Sequence, residues 1–79
     1  MSVNLFAVVE CSELIKPQEG EMRCNHPIGR FNYRSTCEFV CKEGYKLRDN
    51  SSSTLFCGAT GRWNDSQPTC ESKKRHVFT

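Results

Sequence analysis

Six cysteines, Cys11, Cys24, Cys37, Cys41, Cys57 and Cys70, all fall between positions 11 and 70 of a 79-residue chain, and none lies outside that stretch. The count is even, and thiols at this density point to disulfides and an oxidising compartment. A chain this short buries little apolar surface. Domains below roughly 70–80 residues rarely draw more than about 3–5 kcal/mol from a core alone. Cross-links must therefore carry much of the fold. Six cysteines can pair in many ways, and spacing alone does not choose among them.

Hydrophobic residues make up 37% of the chain and charged residues 25%, with a mean hydropathy of −0.60. This composition suits one small soluble domain that is sparing with core side chains. The net charge is +2, but between Cys11 and Cys70 basic and acidic residues nearly balance. The excess sits in Lys73, Lys74 and Arg75. Nucleic-acid modules carry positive charge as a stripe on the folded face, so DNA and RNA are excluded as partners. The short basic cluster has no hydrophobic neighbour and reads as a solvated linker rather than a membrane anchor.

The apolar run at residues 5–9 is too short for a signal-peptide core and lacks a basic flank. The cysteines nevertheless ask for the secretory pathway. The two are reconciled if the chain is one module of a longer secreted or membrane protein. On that reading residues 1–9 are a linker or non-native segment, residues 10–71 form the domain, and residues 72–79 are a flexible basic tail.

The domain is punctuated as an all-β unit, with no helical stripe. Residues 14–20 are extended, with Pro17 forbidding a helix and Gly20 permitting a positive φ. Pro27, Gly29 and Arg30 make a turn. Residues 36–47 give a strand, a turn at Glu43-Gly44 and a second strand; Thr54-Leu55-Phe56-Cys57 is another. Residues 49–53 are a polar loop tip, and Gly58, Gly61 and Asn64-Asp65 turn the chain around Trp63.

These residues carry a family resemblance. Cys11, Pro17, Gly20, Cys41-Lys42-Glu43-Gly44-Tyr45, Cys57, Gly61-Arg62-Trp63 and Pro68-Thr69-Cys70 resemble the pattern of a sushi, or complement control protein, module. The additional pair, in Cys24-Asn25-His26-Pro27-Ile28-Gly29-Arg30-Phe31 and Tyr33-Arg34-Ser35-Thr36-Cys37, is similar to the third disulfide loop of selectin sushi repeats. Arg34 departs from that likeness, standing where selectin repeats often open a glycosylation sequon with asparagine. The resemblance implies a small disulfide-rich fold of short antiparallel strands, with Cys11 bonded to Cys57, Cys24 to Cys37 and Cys41 to Cys70. In the chain-entropy account the two long loops are worth ~3–4 kcal/mol each and the third bond, which pins a protruding turn, about 3 kcal/mol at most.

The same resemblance implies a non-catalytic extracellular spacer and protein-interaction module in a selectin-like adhesion protein, with neighbouring modules in the parent chain. A complement-regulatory module is the alternative. A third reading, an intracellular zinc-binding protein, rests on Cys24, His26, Cys37 and Cys41, whose spacings are possible ligand spacings; it leaves the other cysteines without a role. No cofactor is implied. The two histidines cannot easily complete a catalytic triad, and oxidised cysteines supply no thiolate. Arg23, Arg30, Phe31, Tyr33 and Arg34 are the candidate binding residues, since arginine and aromatic side chains are enriched at interface hot spots. Trp63 reads as the centre of the core, with Tyr45, Phe39, Leu47, Leu55 and Phe56 around it. Asn50 and Asn64 each open an Asn-x-Ser sequence suited to N-glycosylation.

Overall fold

The computed structural model describes residues 9–73; residues 1–8 and the tail from position 74 onward lie outside it. Five strands follow in order: β1 (Gly20–Asn25), β2 (Thr36–Cys41), β3 (Tyr45–Leu47), β4 (Thr54–Phe56) and β5 (Cys70–Ser72). They form an antiparallel three-stranded sheet, β1-β2-β4, and an antiparallel pair, β3-β5. No helix occurs among the described residues.

Alternation explains the larger sheet. Along β2, Cys37 and Phe39 point inward while Glu38 and Val40 face solvent. Leu55 of β4 pairs with Cys37, and Met22 of β1 pairs with Phe39. Every second residue thus meets on one face, the period-2 signature of a half-buried sheet. Phe39 is 2% exposed and Leu55 0%. Leu14, Phe31 and Cys37 complete this core, and Met22, Cys24, Leu47 and Trp63 pack around it.

Three disulfides tie the pieces together: Cys11–Cys57, Cys24–Cys37 and Cys41–Cys70. The last joins the end of β2 to the start of β5 and so links the two sheets. Cys24–Cys37 lies across a directly paired position of β1 and β2. Because the strands are already in register there, this bond reinforces a contact that backbone hydrogen bonds also make.

Several expectations are corrected. The core centres on Phe39 and Leu55, while Trp63 and Tyr45 are half-buried. The ring that meets Trp63 is Phe31, edge to face at 6.2 Å, and Phe56 points outward. Trp63 stays near the surface because its indole Nε1 donates to the Ser12 carbonyl at 2.8 Å. Ser72, expected to open the tail, belongs to β5, and the Lys73 amide donates to the Gly44 carbonyl; the rest of the expected tail lies outside the described residues.

Gly20 differs in kind. The left-handed φ of this turn belongs to Glu19, at 62°. Gly20 is needed for space: a Cβ there would lie 2.8 Å from Cys70 Sγ and 2.8 Å from the Val40 carbonyl oxygen. Gly44, by contrast, has φ 91° with open space around it, and serves the β2-β3 turn closed by the Tyr45 amide on the Lys42 carbonyl.

Candidate interaction surface

The segment between β1 and β2, residues 26–35, is short of apolar side chains and is held instead by a local polar lattice. The Phe31 amide donates to His26 Nδ1 at 2.9 Å, so that nitrogen carries no proton and the ring hydrogen is on Nε2. Ser35 Oγ lies 2.8 Å from the same nitrogen and 3.2 Å from the Gly29 carbonyl it donates to. Backbone bonds from Asn32 to Gly29 and from Ser35 to Asn32 complete two tight turns.

This lattice drives Phe31 inward. Its φ of 57° turns the ring beneath His26, edge to face at 4.7 Å, and toward Trp63. Phe31 is 5% exposed. It is therefore a core residue, and its candidacy as a binding residue is withdrawn. A left-handed non-glycine residue costs roughly 1 kcal/mol or more, which burial of an aromatic ring, worth about 1.5–3 kcal/mol, offsets. Nor does the loop protrude as a whole. Pro27 and Ile28 are exposed, but from Phe31 onward it docks on the body. The Cys11 amide donates to the Phe31 carbonyl, the Tyr33 amide to the Val9 carbonyl, and the Arg34 amide to the Cys57 carbonyl.

The remaining candidates divide into two groups. Arg30 and Arg34 are exposed and Tyr33 is half-buried. The Arg30 guanidinium sits over the outer side of the Phe31 ring at 4.9 Å and pairs with Glu13 at 2.8 Å. Arg34, at φ 79°, lays its guanidinium over Tyr33 at 5.6 Å. Stacked in this way, both cations are partly pre-organised. Arg23 belongs elsewhere, on the outward face of β1 opposite Glu38, where it lines a groove with Asn25, Thr36 and Thr54.

Other polar contacts lie outside this loop. Lys42 donates to the Glu19 carboxylate, a contact that, with Glu19's charge, raises the lysine pKa. Asp65 accepts from the Ser66 amide and, second in effect, from the Ser52 hydroxyl at 2.9 Å, which together hold its pKa below the usual carboxylate value. Asn64 Oδ1 accepts from the Phe56 amide at 2.7 Å, and the Asn64 amide returns a bond to the Phe56 carbonyl. Asn50 is exposed at a loop tip with φ 67°.

Among the described residues, the His26–Ser35 contact resembles a base beside a nucleophile, and their spacing gave no hint of it. Ser35 is 0% exposed, so no substrate carbonyl can reach its oxygen, and the Phe31 amide already occupies Nδ1. The pair is a structural lock. The six sulfurs are bonded to one another, so the zinc reading has no thiolate to use. Among the described residues, no group of His, Cys, Asp or Glu is placed to hold a metal ion, and no helix is long and apolar enough to cross a membrane.

Comparison with known proteins matches residues 11–70 to the Sushi repeat (SCR repeat) family. The chain is 45% identical to mouse P-selectin over 64 residues, covering 81% of this chain and 8% of that protein. It is 40% identical to mouse L-selectin over 68 residues, 86% of this chain and 18% of that protein. With human E-selectin the identity is 40% over 67 residues, 84% of this chain and 11% of that protein. The chain thus spans less than a fifth of each of these relatives. With its antiparallel sheets, its three disulfides and these relatives, the chain belongs to the sushi repeat family.

Proposed function

We propose that this chain is a non-catalytic extracellular module, a rigid spacer and protein-interaction unit within a selectin-like cell-adhesion protein. The observation that carries this reading is the covalent lattice. Cys24–Cys37 ties β1 to β2, Cys41–Cys70 ties β2 to β5, and Cys11–Cys57 ties the entry segment to the end of β4. A unit cross-linked from end to end holds its length where a flexible chain would collapse. The chain's relatives include selectins, and the matched stretch is a small part of each. That correspondence supports neighbouring modules and a cell-surface or secreted parent.

Arg30, Tyr33 and Arg34 are the surface on which this module contacts an extracellular protein or cell-surface ligand. The amides of Tyr33 and Arg34 are held by the fold, and the side chains of Arg30 and Arg34 face outward. Arg23, on the sheet face, forms a separate and secondary contact.

A chimera tests the spacer role. This chain replaces the matched repeat of mouse P-selectin, and a Gly/Ser segment of equal residue number replaces it in a control. Adhesion under flow should survive the first exchange and weaken in the second. Equal adhesion by the Gly/Ser control would refute the spacer role. For the contact surface, Arg30→Glu with Arg34→Glu should lower adhesion in the first chimera while the module stays folded.

A further inference from the structure

The two Asn-x-Ser sequences stand in different structural situations, and the difference assigns them different roles. Asn50 is exposed at the apex of the β3-β4 loop, in a turn closed by the Ser51 amide on the Arg48 carbonyl at 3.0 Å. Its side-chain amide makes no hydrogen bond among the described residues. The left-handed φ of 67° is one asparagine tolerates better than most residues. A bulky, hydrated substituent there displaces no packed atom.

Asn64 is committed. Its Oδ1 accepts the Phe56 amide and its backbone amide donates to the Phe56 carbonyl, so that side chain and main chain together act as a two-point clasp on β4. That clasp adjoins the Cys57–Trp63 bridge. The intervening residue is Asp65, an exposed carboxylate held in its charged form by Ser66 and Ser52. An anionic glycosyl donor approaching Asn64 meets that charge at close range, where like charges repel.

We infer that Asn50 is an N-glycosylation site and that Asn64 is a structural clasp left unmodified. In the transfer, Nδ2 of Asn50 attacks C1 of an oligosaccharide carried on a polyprenyl diphosphate. The new bond is C1–Nδ2. The C1–O bond breaks, polyprenyl diphosphate leaves with the electron pair, and Nδ2 gives up one proton. Ser52 supplies the hydroxyl that completes the acceptor sequence. The Ser52–Asp65 bond is an exposed side-chain contact that Ser52 can leave while the glycan is transferred.

The loop carrying this sugar hangs from Arg48, bonded to the Thr69 carbonyl, and from Ser53, bonded to the Phe39 amide. The Arg30–Arg34 surface hangs instead from Val9, Cys11 and Cys57. The glycan and the proposed contact surface are thus built on separate backbones.

The test expresses the full chain behind a secretory leader in a glycosylating eukaryotic cell, which makes it independent of the adhesion reading. Enzymatic release of N-glycans in heavy-oxygen water tags each occupied asparagine as a labelled aspartate, located by peptide mass spectrometry. The label should appear at Asn50 and not at Asn64. Asn50→Gln should abolish the glycoform, whereas Asn64→Gln should keep it and lower the melting temperature. An unlabelled Asn50 in the secreted wild-type chain, or labelling of Asn64 equal to that of Asn50, would overturn the assignment. Either result leaves the spacer function standing.

Discussion

Replacing Gly20 by alanine tests the covalent lattice at its tightest point. The added Cβ would stand 2.8 Å from Cys70 Sγ, 2.8 Å from the Val40 carbonyl oxygen and 3.1 Å from Pro17 Cγ. Comfortable contacts between heavy atoms lie near ~3.5–4.0 Å, so all three neighbours would have to retreat. None is free to do so. The sulfur is bonded to Cys41, the carbonyl belongs to the paired strand β2, and Pro17 is buried. Overpacking of this kind costs about 1–3 kcal/mol. Alanine also restricts the unfolded chain, which stabilises by roughly 0.4–1 kcal/mol. Steric strain is the larger effect, leaving a net loss of about 1–2 kcal/mol. For a domain of this size that lowers the melting temperature by about 4–16 °C. Calorimetry of the fully oxidised protein reads this directly, with mass spectrometry showing all three disulfides formed. Gly44→Ala is the control, because that site has open space but φ 91°. It should lose about 1–2 kcal/mol through backbone conformation alone, and D-alanine at the same position should restore it. A Gly20→Ala protein that melts at or above the wild type would show that β1 does not approach β5 this closely, and the argument would fail.

Other perturbations probe separate parts of the structure. Cys24→Ala with Cys37→Ala should cost up to about 3 kcal/mol yet leave a folded domain, with faster amide exchange in β1, whereas Cys41→Ala with Cys70→Ala should give the unfolded spectrum by circular dichroism. Complete unfolding of the first pair would refute the supporting role assigned to that bond. His26→Phe keeps an aromatic edge against Phe31 but orphans its amide, and the urea midpoint should report a loss of about 1–3 kcal/mol; an unchanged midpoint would remove the lock. Because the folded pKa of Asp65 is lowered, its contribution is fully present above the unfolded value near ~3.9 and fades as pH falls through the lower folded value. An Asp65→Asn protein should therefore show a flatter stability curve over that acid window, and an identical slope would count against the Ser52–Asp65–Ser66 network.

What was legible in the sequence followed from period and punctuation. Thr36–Cys41 alternates cleanly and Gly44 marks its turn, so β2 and β3 could be read directly. Strand β1 offers only Met22 and Cys24 as inward side chains, and Gly20 reads as a bend rather than a start. Its strand character comes from pairing with β2, information that lies up to 21 residues away. Strand β5 is still less visible. Its residues Cys70, Glu71 and Ser72 have no apolar pattern, and β3 alone draws them into a ladder. Phe31 misled for a related reason. Between Arg30 and Asn32 in a turn-rich segment it looks like an exposed anchor, and only the His26 bond and the left-handed φ turn it inward.

That pattern bears on what a sushi repeat can evolve. Tyr33 and Arg34 are fixed in place by their amides, which donate to the carbonyls of Val9 and Cys57. Those bonds make no demand on the side chain. Arg30 meets Glu13 in an exposed ion pair, a contact worth only about 0–1 kcal/mol. Stability here resides in sulfur bridges, a small core around Phe39 and Leu55, and backbone bonds that any residue can make. The exposed side chains of Arg30 and Arg34 can therefore change with little cost to the fold. This explains why family membership is strongly written in the cysteines while the ligand is not: the residues that recognise the family and those that would recognise a partner are under separate physical constraints. It also follows that charge reversal at Arg30 and Arg34 is a clean probe of binding, because the backbone that presents them stays where it is.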